Sequence, residues 1–434
     1  MVNLGLILKY IENIIWSIPL VALLVFVHLY FTVKLKFPQK NTLKGLKLMF
    51  SSESKDSNGK EGISSYKALM SVLAATLGTG NIVGVATAIA IGGIGSIFWI
   101  FISGVIAIAT KYAETYIVLK YRKKNKKGYY GGAMYVLNDR LDKRILAILF
   151  SLFLIVASFG IGAMIQSNSA VNAIISSFNV DKKLIAIIVS IICTYVIFGN
   201  EKRISNISSI LVPVATIIYF IMCLGLIVEY RAFLIPSIIR IVKEALNFKS
   251  AASGIFSSTA ILAMSAGFSK GLFSNEAGMG SSPIFDATVR EQNLKKQSLI
   301  SSTAVFIDTV ILCTLTGIIL VASSSYLVTN NPMEIVTLAF SKFPFGEMLL
   351  TISLVIFGVA TIPCWGYYGS AGVRFLFKSR NFYMLIYKIL YAVSIYIGAI
   401  CALDTVWTVS SIANGLMILP NVYMLLKLRK EIET

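Results

Sequence analysis

Histidine is almost absent from this sequence, and charged residues of every kind are scarce. His28 is the only histidine among 434 residues, and Asp, Glu, Lys and Arg together make up 14% of the chain. His28 lies inside an apolar run with no nucleophilic serine beside it, and one histidine cannot build a zinc site. We therefore expect a protein that is not an enzyme and needs no cofactor, with His28 as a passive, hydrogen-bonded side chain.

Paired cysteines are missing as well. The five cysteines lie within or beside apolar runs, and none of them shows the spacing of a disulfide framework or a metal site. Free cysteine in such surroundings behaves as a small apolar residue. The sequence therefore predicts buried, unpaired thiols at Cys193, Cys223, Cys313, Cys364 and Cys401.

Long apolar runs dominate the composition, which is 56% hydrophobic. Repeated runs of about 20 residues are each long enough to cross a bilayer and indicate a polytopic, all-α membrane protein. The net charge of +19 does not indicate nucleic-acid binding, because most Lys and Arg fall in short connections between apolar runs. That placement follows the positive-inside rule and indicates a protein of the cell membrane, with the lipid bilayer as its partner.

The loop charges predict the topology. A loop with eight lysines follows the first apolar run, and counting onward gives 11 transmembrane helices, with the N-terminus outside and the C-terminus in the cytoplasm. One N-terminal helix would precede two inverted five-helix repeats. The predicted segments are an N-terminal helix and basic loop at 1–65, the first repeat at 66–230, an extracellular connection at 231–250, and the second repeat with its cytoplasmic tail at 251–434.

The stretch from Gly271 to Pro283, GLFSNEAGMGSSP, is too polar and too rich in glycine for a helix in lipid. Irregular backbone at membrane depth survives only where it is buried in protein or faces a watery cavity. A plain loop is the alternative, but it would leave a short preceding span and spoil the charge distribution. We therefore expect a broken membrane helix here, in which Glu276 hydrogen bonds to the unwound backbone.

A second interruption, Gly78 to Asn81, occupies the corresponding place in the first half. Glycine interrupts a helix at low cost and allows close approach of a ligand, although Gly80 and Gly84 also have the spacing of a helix-packing motif. Two broken helices at matching positions of two halves are typical of inverted-repeat transporters.

Further polar residues lie on the apolar helices. Lys111 and Glu114 are three residues apart on one helical face, which predicts an internal ion pair. Gln166 either forms a hydrogen bond between helices or binds the substrate, since a buried amide needs a partner. The TIPCWGYYG segment is either an interfacial aromatic belt or, because Thr361 and Trp365 share a face, the wall of a small pocket.

At these residues the chain resembles the alanine or glycine:cation symporter family of bacteria and archaea, from about Tyr66 to the C-terminus. The resemblance is carried by several blocks in the same order: LAATLGTGNIVGVATAIAIGG, TKYAE, GGAMY, SFGIGAMIQSNS, KGLFSNEAGMGSSPI, FIDT and WGYYG. It implies a five-plus-five inverted-repeat transporter with an additional N-terminal helix. Its expected activity is the uptake of a small neutral amino acid, alanine or glycine, coupled to sodium.

The resemblance also implies the site. Substrate ligands would come from the two breaks, from the third repeat helix and from the eighth: Thr79, Gly80, Asn81, Gln166, Phe273, Ser274, Asn275, Gly278, Thr361 and Trp365. Sodium would lie where the carbonyl groups near Ala75 and Gly78 face the hydroxyl group of Thr361.

The sequence departs from the family pattern near this expected site. Ala360 replaces a threonine that would offer a second hydroxyl group to the cation. Other departures are Ala163 in place of asparagine, Gly93-Ile94-Gly95 in place of GPG, and Cys364, Gly366 and Ser370 around the aromatic patch. A proton-coupled or uncoupled amino-acid transporter is therefore the alternative hypothesis, and an ion channel is a more distant one.

Overall fold

The computed structural model describes residues 4–16, 18–50, 62–125, 128–178, 180–247, 259–401 and 404–433. These ranges are almost wholly helical, with one antiparallel hairpin of β1 (Lys123–Asn125) and β2 (Gly128–Tyr130). The first half contains α1 (Leu4–Ile15), α2 (Ile18–Lys34), α3 (Thr42–Met49), α4 (Ser65–Thr76), α5 (Val83–Gly92), α6 (Ser96–Lys120), α7 (Ala133–Asp139), α8 (Arg144–Ser177), α9 (Lys182–Ile197) and α10 (Glu201–Glu229).

The second half continues the helical pattern and begins with a short helix on a polar stretch of sequence. It contains α11 (Arg231–Ala245), α12 (Thr259–Asn275), α13 (Pro283–Asp286), α14 (Leu294–Ala322), α15 (Pro332–Phe340), α16 (Gly346–Leu376), α17 (Asn381–Ile400) and α18 (Asp404–Lys427). Helix α11 lies within the segment 231–250, for which the sequence predicts a connection between the two repeats.

Eight helical segments of the described ranges are long and apolar enough to cross a membrane: Gly5–Lys34, Ser96–Lys120, Arg144–Ser177, Glu201–Glu229, Leu294–Ala322, Gly346–Leu376, Asn381–Ile400 and Thr405–Lys427. The prediction of 11 spans also counts the two interrupted helices and α9, whose 16 residues are short for a span. The number of 11, the inverted relation of the two repeats, the segment boundaries and the sides of the two termini stay predictions.

The N-terminal helices cover one side of the bundle. Helix α2 packs against α6, and α1 packs against α18. His28 on α2 is buried, and its Nδ1 atom lies 2.7 Å from Oγ1 of Thr110 on α6. The single histidine is thus a hydrogen-bonded interhelical contact, as predicted.

The first break lies between α4 and α5. Nearly every residue of α4 is buried, and the helix stops at Thr76. Gly78 is extended, with φ −125° and ψ −161°, and one short turn over Thr79–Asn81 leads into α5. The glycine-rich sequence therefore interrupts the helix where predicted.

The second break is shorter than the sequence predicts. Residues 271–275 still belong to α12, and the irregular backbone covers residues 276–282. A Cβ atom on Gly271 would lie 2.0 Å from Oγ of Ser103, so this glycine permits close packing of α12 on α6. The turn itself depends on the positive φ angles of Glu276, Gly278 and Gly280, at 55°, 93° and 77°.

The two broken helices lie at the centre of the bundle. Helix α4 packs between α10 and α16, while α12 packs against α5 and α6. At the end near β1 and β2, Ile63 and Val289 form a parallel bridge between the segments that precede α4 and follow α13. Both breaks are therefore enclosed by full-length helices, which keeps their open backbone away from lipid.

Candidate functional site at the two helix breaks

Asn81 connects the two breaks. Its side-chain Oδ1 accepts a hydrogen bond of 3.1 Å from the amide of Gly78, which stabilises the first break. Its Nδ2 donates to Oγ of Ser274, at the end of α12, over 2.7 Å. Asn81 and Ser274 are 2% and 1% exposed, so this contact is a buried link between the two halves of the chain.

Four more of the predicted substrate residues surround this link. The amide and the hydroxyl of Thr79 both lie 3.5 Å from Oε1 of Gln166 on α8. A Cβ atom on Gly80 would lie 3.3 Å from the ring of Phe273, which is half-buried. The structure thus brings Thr79, Gly80, Asn81, Gln166, Phe273 and Ser274 together around the first break.

Asn275 and Gly278 lie apart from this group. Oδ1 of Asn275 accepts from the amide of Ala277 over 2.9 Å, and Asn275 faces a small apolar space lined by Leu24 and His28. A Cβ atom on Gly278 would lie 2.8 Å from the Leu24 side chain. Asn275, the last residue of α12, and Gly278, in the irregular segment after it, therefore both lie beside α2.

Thr361 on α16 approaches the carbonyl groups at the end of α4. Its Oγ1 lies 2.7 Å from the carbonyl oxygen of Ala74, 3.4 Å from that of Leu77 and 2.8 Å from that of Phe357. One hydroxyl hydrogen can satisfy only one of these three oxygens at a time. The result is a buried, oxygen-rich position of the kind that hard cations prefer.

The cation ligands expected from the sequence differ in detail from this geometry. The carbonyl oxygen of Ala75 accepts from Nε1 of Trp365 over 3.3 Å, and that of Gly78 accepts from the amide of Asn81 over 3.3 Å. The carbonyls nearest Thr361 belong to Ala74 and Leu77. The amide of Gly78 donates to the carbonyl of Thr76. The carbonyl oxygen of Ala74 therefore lacks the helical hydrogen bond that it would normally accept from the amide four residues later.

The aromatic patch on α16 lies inside the bundle. Trp365 and Tyr368 are 1% and 0% exposed, and their ring centroids are 5.5 Å apart. Rings of an interfacial belt would lie at the lipid headgroups, so of the two alternatives the structure favours the wall of an internal site.

The second break is held by two charged side chains of α6. Oε1 of Glu114 accepts hydrogen bonds from the amides of Gly278 and Gly280, at 2.9 and 3.1 Å, and Asn421 of α18 donates to the same carboxylate. Lys111 donates to Oγ of Ser282 and, over 3.4 Å, to the carbonyl of Asn275.

The predicted ion pair between Lys111 and Glu114 is therefore not a direct contact. Among the residues that the structure describes, no salt bridge joins them. Lys111 binds both ends of the unwound segment, at Asn275 and Ser282, and Glu114 binds its middle, at Gly278 and Gly280. Backbone amides and carbonyls freed by the break are the better partners, because inside a membrane they have no water to bind.

Two π-helical stretches adjoin the site and could not be seen in the sequence. They are Ser158–Ile165, directly before Gln166, and Phe306–Cys313 on α14. Such widened turns are frequently found at functional sites. The second stretch places Oγ1 of Thr309 3.2 Å from Oγ of Ser274, so α14 adds to the site a residue of the FIDT block that the predicted ligand set does not include.

Comparison with known proteins agrees with this architecture. The sequence profile of the "Sodium:alanine symporter family" matches residues 1–434. The chain belongs to this family. Among its relatives, the "Sodium/alanine symporter AgcS" of Methanococcus maripaludis is 36% identical over 429 residues, covering 96% of this chain and 93% of the relative. The "Amino-acid carrier protein AlsT" of Bacillus subtilis is 30% identical, covering 95% and 87%.

A solved structure shares the fold of the present chain. The crystal structure of MhsT in complex with L-phenylalanine superposes with a TM-score of 0.58 at 15% identity, over 85% of this chain and 90% of that chain. The family and the apolar helices together support a multi-pass membrane protein that transports an amino acid with a cation. Membership of a transporter family also implies that the protein is not an enzyme.

Proposed function

We propose that the protein imports a small neutral amino acid, alanine or glycine, together with sodium by alternating access. The observation that carries this proposal is the buried link from Asn81 to Ser274, which closes the space between the two breaks. Exposed backbone groups at such breaks bind the carboxylate and amino groups of an amino acid, and the half-helix dipoles favour its charges. Thr79 and Gln166 would contact the same ligand.

The crowding around the breaks supports a small substrate. A Cβ atom on Gly78 would lie 3.0 Å from Oε1 of Gln166, and Gly80 has the Phe273 ring against it. Trp365 fills the adjoining space and is almost wholly buried. We infer from these contacts that the site would accept a hydrogen or methyl side chain and would exclude longer ones sterically.

Sodium would bind where Thr361 faces the carbonyls of Ala74 and Leu77. A cation there would order the end of α4, next to Thr79 and Asn81, before the amino acid binds. Such coupling is reciprocal, so sodium would raise amino-acid affinity and the amino acid would raise sodium affinity by the same factor. Uptake of labelled alanine into proteoliposomes, with and without an inward sodium gradient, tests the proposal directly.

The outcome of that assay separates the proposal from its alternatives. Uptake that needs sodium supports it. Undiminished uptake in choline at every pH gradient points to an uncoupled transporter, while uptake driven by protons alone points to proton coupling, which the missing hydroxyl at Ala360 would favour. Unitary currents in a planar bilayer would instead identify a channel.

Replacing Thr361 with valine is expected to weaken the apparent sodium affinity by roughly tenfold, because the variant keeps the shape of the side chain and loses one ligand oxygen. The measurement is sodium-dependent alanine binding to the purified protein. Thr351→Val is the matched control on the same helix; its hydroxyl lies 2.6 Å from that of Ser177 and far along α16 from the break. Equal sodium dependence in both variants would show that Thr361 does not bind the cation.

Replacing Phe273 with alanine is expected to admit larger amino acids. The ring lies against Gly80 and is 5.8 Å from the ring of Trp407, so its removal opens the space beside the first break. Competition of valine and leucine against labelled alanine measures the change. Phe268→Ala, on the same helix but against Trp99 at 5.8 Å, is the control and should keep the original selectivity. An unchanged selectivity in both variants would contradict this role of Phe273.

A further inference from the structure

A cavity of about 430 Å³ lies at the end of the bundle that carries β1 and β2. Its walls come from this hairpin, from the turn between α9 and α10, from the last turns of α16 and from the start of α17. Cavities of this size hold small organic molecules in other proteins. Among its described lining residues, none belongs to the site at the two breaks, so the cavity needs an explanation of its own.

One wall of the cavity carries a positive charge without an acidic partner. Arg374, in the last turn of α16, is half-buried, and its guanidinium carbon lies 5.9 Å from the centre of the Tyr367 ring. Within the described ranges, none of the salt bridges includes Arg374. A guanidinium group has several N–H donors in a planar fork, so contact with one hydroxyl leaves others for a carboxylate.

A negative charge faces the same cavity. Glu201, the first residue of α10, is half-buried and lines the wall opposite α16. Its charge acts on both Arg374 and Tyr367, yet in the described part of the chain no salt bridge joins Glu201 to Arg374. A cavity that separates two opposite charges offers a partner to each end of a dipolar ligand.

The third charged residue of the cavity holds two of its walls together. Nζ of Lys388 on α17 donates to the carbonyl oxygen of Gly199 over 3.3 Å and lies 5.6 Å from the centre of the Phe198 ring. The charges that line the cavity are therefore Arg374, Lys388 and Glu201. One acid among two cations disfavours a multiply charged anion such as phosphate and suits a ligand with both signs of charge.

Apolar side chains complete the lining. Ile197, Ile204 and Met384 face the cavity, and the two isoleucines are each 2% exposed. They offer a contact surface for the apolar part of a ligand whose charged part lies near Arg374 and Glu201. The crowded space at the helix breaks has no comparable room, since the Phe273 ring lies against Gly80 there.

We propose that this cavity is a second amino-acid site, which binds a zwitterionic amino acid with a larger apolar side chain, such as leucine. Arg374 would bind the carboxylate and Glu201 the ammonium group. The side chain would contact Ile197, Ile204 and Met384. This inference goes beyond the proposed function and does not depend on it, because the cavity would hold its ligand through Arg374 and Glu201 and not through sodium.

The test measures binding of labelled leucine to the full, purified chain by equilibrium dialysis in choline chloride, without sodium. The wild type is expected to bind one leucine per chain in a saturable manner. Arg374→Gln is expected to weaken this binding by roughly tenfold to a hundredfold, because it removes charge-assisted hydrogen bonds to the carboxylate. Equal leucine affinity in the wild type and Arg374→Gln would overturn the site.

Arg203→Gln is the matched control. Arg203 lies near the same end of the bundle and also has its guanidinium group over a tyrosine ring, 4.7 Å from the centre of Tyr195. It is exposed, donates to the carbonyl oxygen of Tyr195 over 3.0 Å and does not line the cavity. Its replacement should leave leucine affinity unchanged, and a loss as large as that of Arg374→Gln would overturn the assignment to the cavity.

Two leucine analogues and a second variant test the zwitterion and keep the test decisive if Arg374→Gln fails to fold. 4-Methylpentanoate lacks the ammonium group and 3-methylbutylamine lacks the carboxylate, so each should compete with leucine at least tenfold more weakly than leucine itself. Glu201→Gln should lower the affinity for leucine and leave that for 4-methylpentanoate unchanged. An unchanged leucine affinity in Glu201→Gln would overturn the proposal.

The remaining outcomes separate this site from the one at the breaks. Leucine binding that appears only in sodium would place leucine at the breaks and overturn the cavity site. Inorganic phosphate that displaces leucine more effectively than leucine itself would identify an anion site and also overturn it. Alanine uptake that is independent of sodium would overturn the proposed function while the leucine site stands, because leucine binding is measured without sodium.

Discussion

Replacing Asn81 with alanine is expected to weaken alanine binding by roughly tenfold to a hundredfold, since it removes two buried hydrogen bonds worth about 0.5–1.5 kcal/mol each and leaves their partners without a donor or acceptor. The lost bonds are the 3.1 Å contact that shapes the first break and the 2.7 Å contact that joins it to Ser274. Equilibrium binding of labelled alanine to the purified protein in sodium measures the effect.

The control for this variant is Asn206→Ala. Asn206 is an exposed asparagine of α10 that accepts a hydrogen bond of 2.6 Å from Lys67, far from both breaks. Its replacement should leave alanine affinity unchanged. If Asn81→Ala bound alanine as tightly as this control, the substrate would not lie at the first break, and the proposed site would have to be abandoned.

Replacing Glu114 with alanine is expected to destabilise the protein by roughly 3 kcal/mol or more, because several buried donors would lose their acceptor at once. These donors are the amides of Gly278 and Gly280 and the side chain of Asn421. The measurement is thermal unfolding of the detergent-solubilised protein, followed by its intrinsic fluorescence. The midpoint should fall by several degrees, and alanine binding should be lost with it.

Glu114→Gln separates the hydrogen bonds of Glu114 from its charge. Glutamine keeps one acceptor oxygen for the two glycine amides, so most of the stability should remain. Glu347→Ala, at the exposed start of α16, serves as the reference for a glutamate of no structural importance. If Glu114→Ala unfolded at the same temperature as Glu347→Ala, the second break would be stabilised by other contacts.

The positions of both breaks could be predicted from the sequence, because helix interruption is a local property. The GTGN segment ends α4, and α5 begins after a single short turn. The second break was predicted too long, since a glycine in sequence does not reveal whether it serves a turn or close packing. Gly271 serves packing against Ser103, and only Gly278 and Gly280 have the positive φ angles of a turn.

The partners of the breaks could not be predicted, because they lie far away along the chain. Glu114 is separated from Gly278 by 164 positions, and Asn421 by 143. The spacing of Lys111 and Glu114 placed them correctly on one face but gave them the wrong partners, since local periodicity contains no information about what packs against that face.

The sequence placed only some of the predicted site residues together correctly. Thr79, Asn81, Gln166 and Ser274 come together around the first break, whereas Asn275 and Gly278 face α2. Asn275 is the last residue of α12 and lies on its α2 side, and the irregular backbone that begins at Glu276, with a φ angle of 55°, places Gly278 beside α2 as well. Thr309, which lies beside Ser274, belongs to the π-helical stretch of α14, and regular helical periodicity does not predict such a stretch.

The bridge between Ile63 and Val289 has a consequence for how the molecule can move. The amide of Ile63 donates to Thr288 over 3.1 Å, the amide of Arg290 donates to Ile63 over 3.0 Å, and the Arg290 side chain donates to Gly62 over 3.0 Å. These hydrogen bonds join the segment before α4 to the segment after α13. Each bond contributes about 0.5–1.5 kcal/mol, so parting them all costs a few times the thermal energy. We therefore expect the two broken helices to move together at this end, with any hinge located elsewhere.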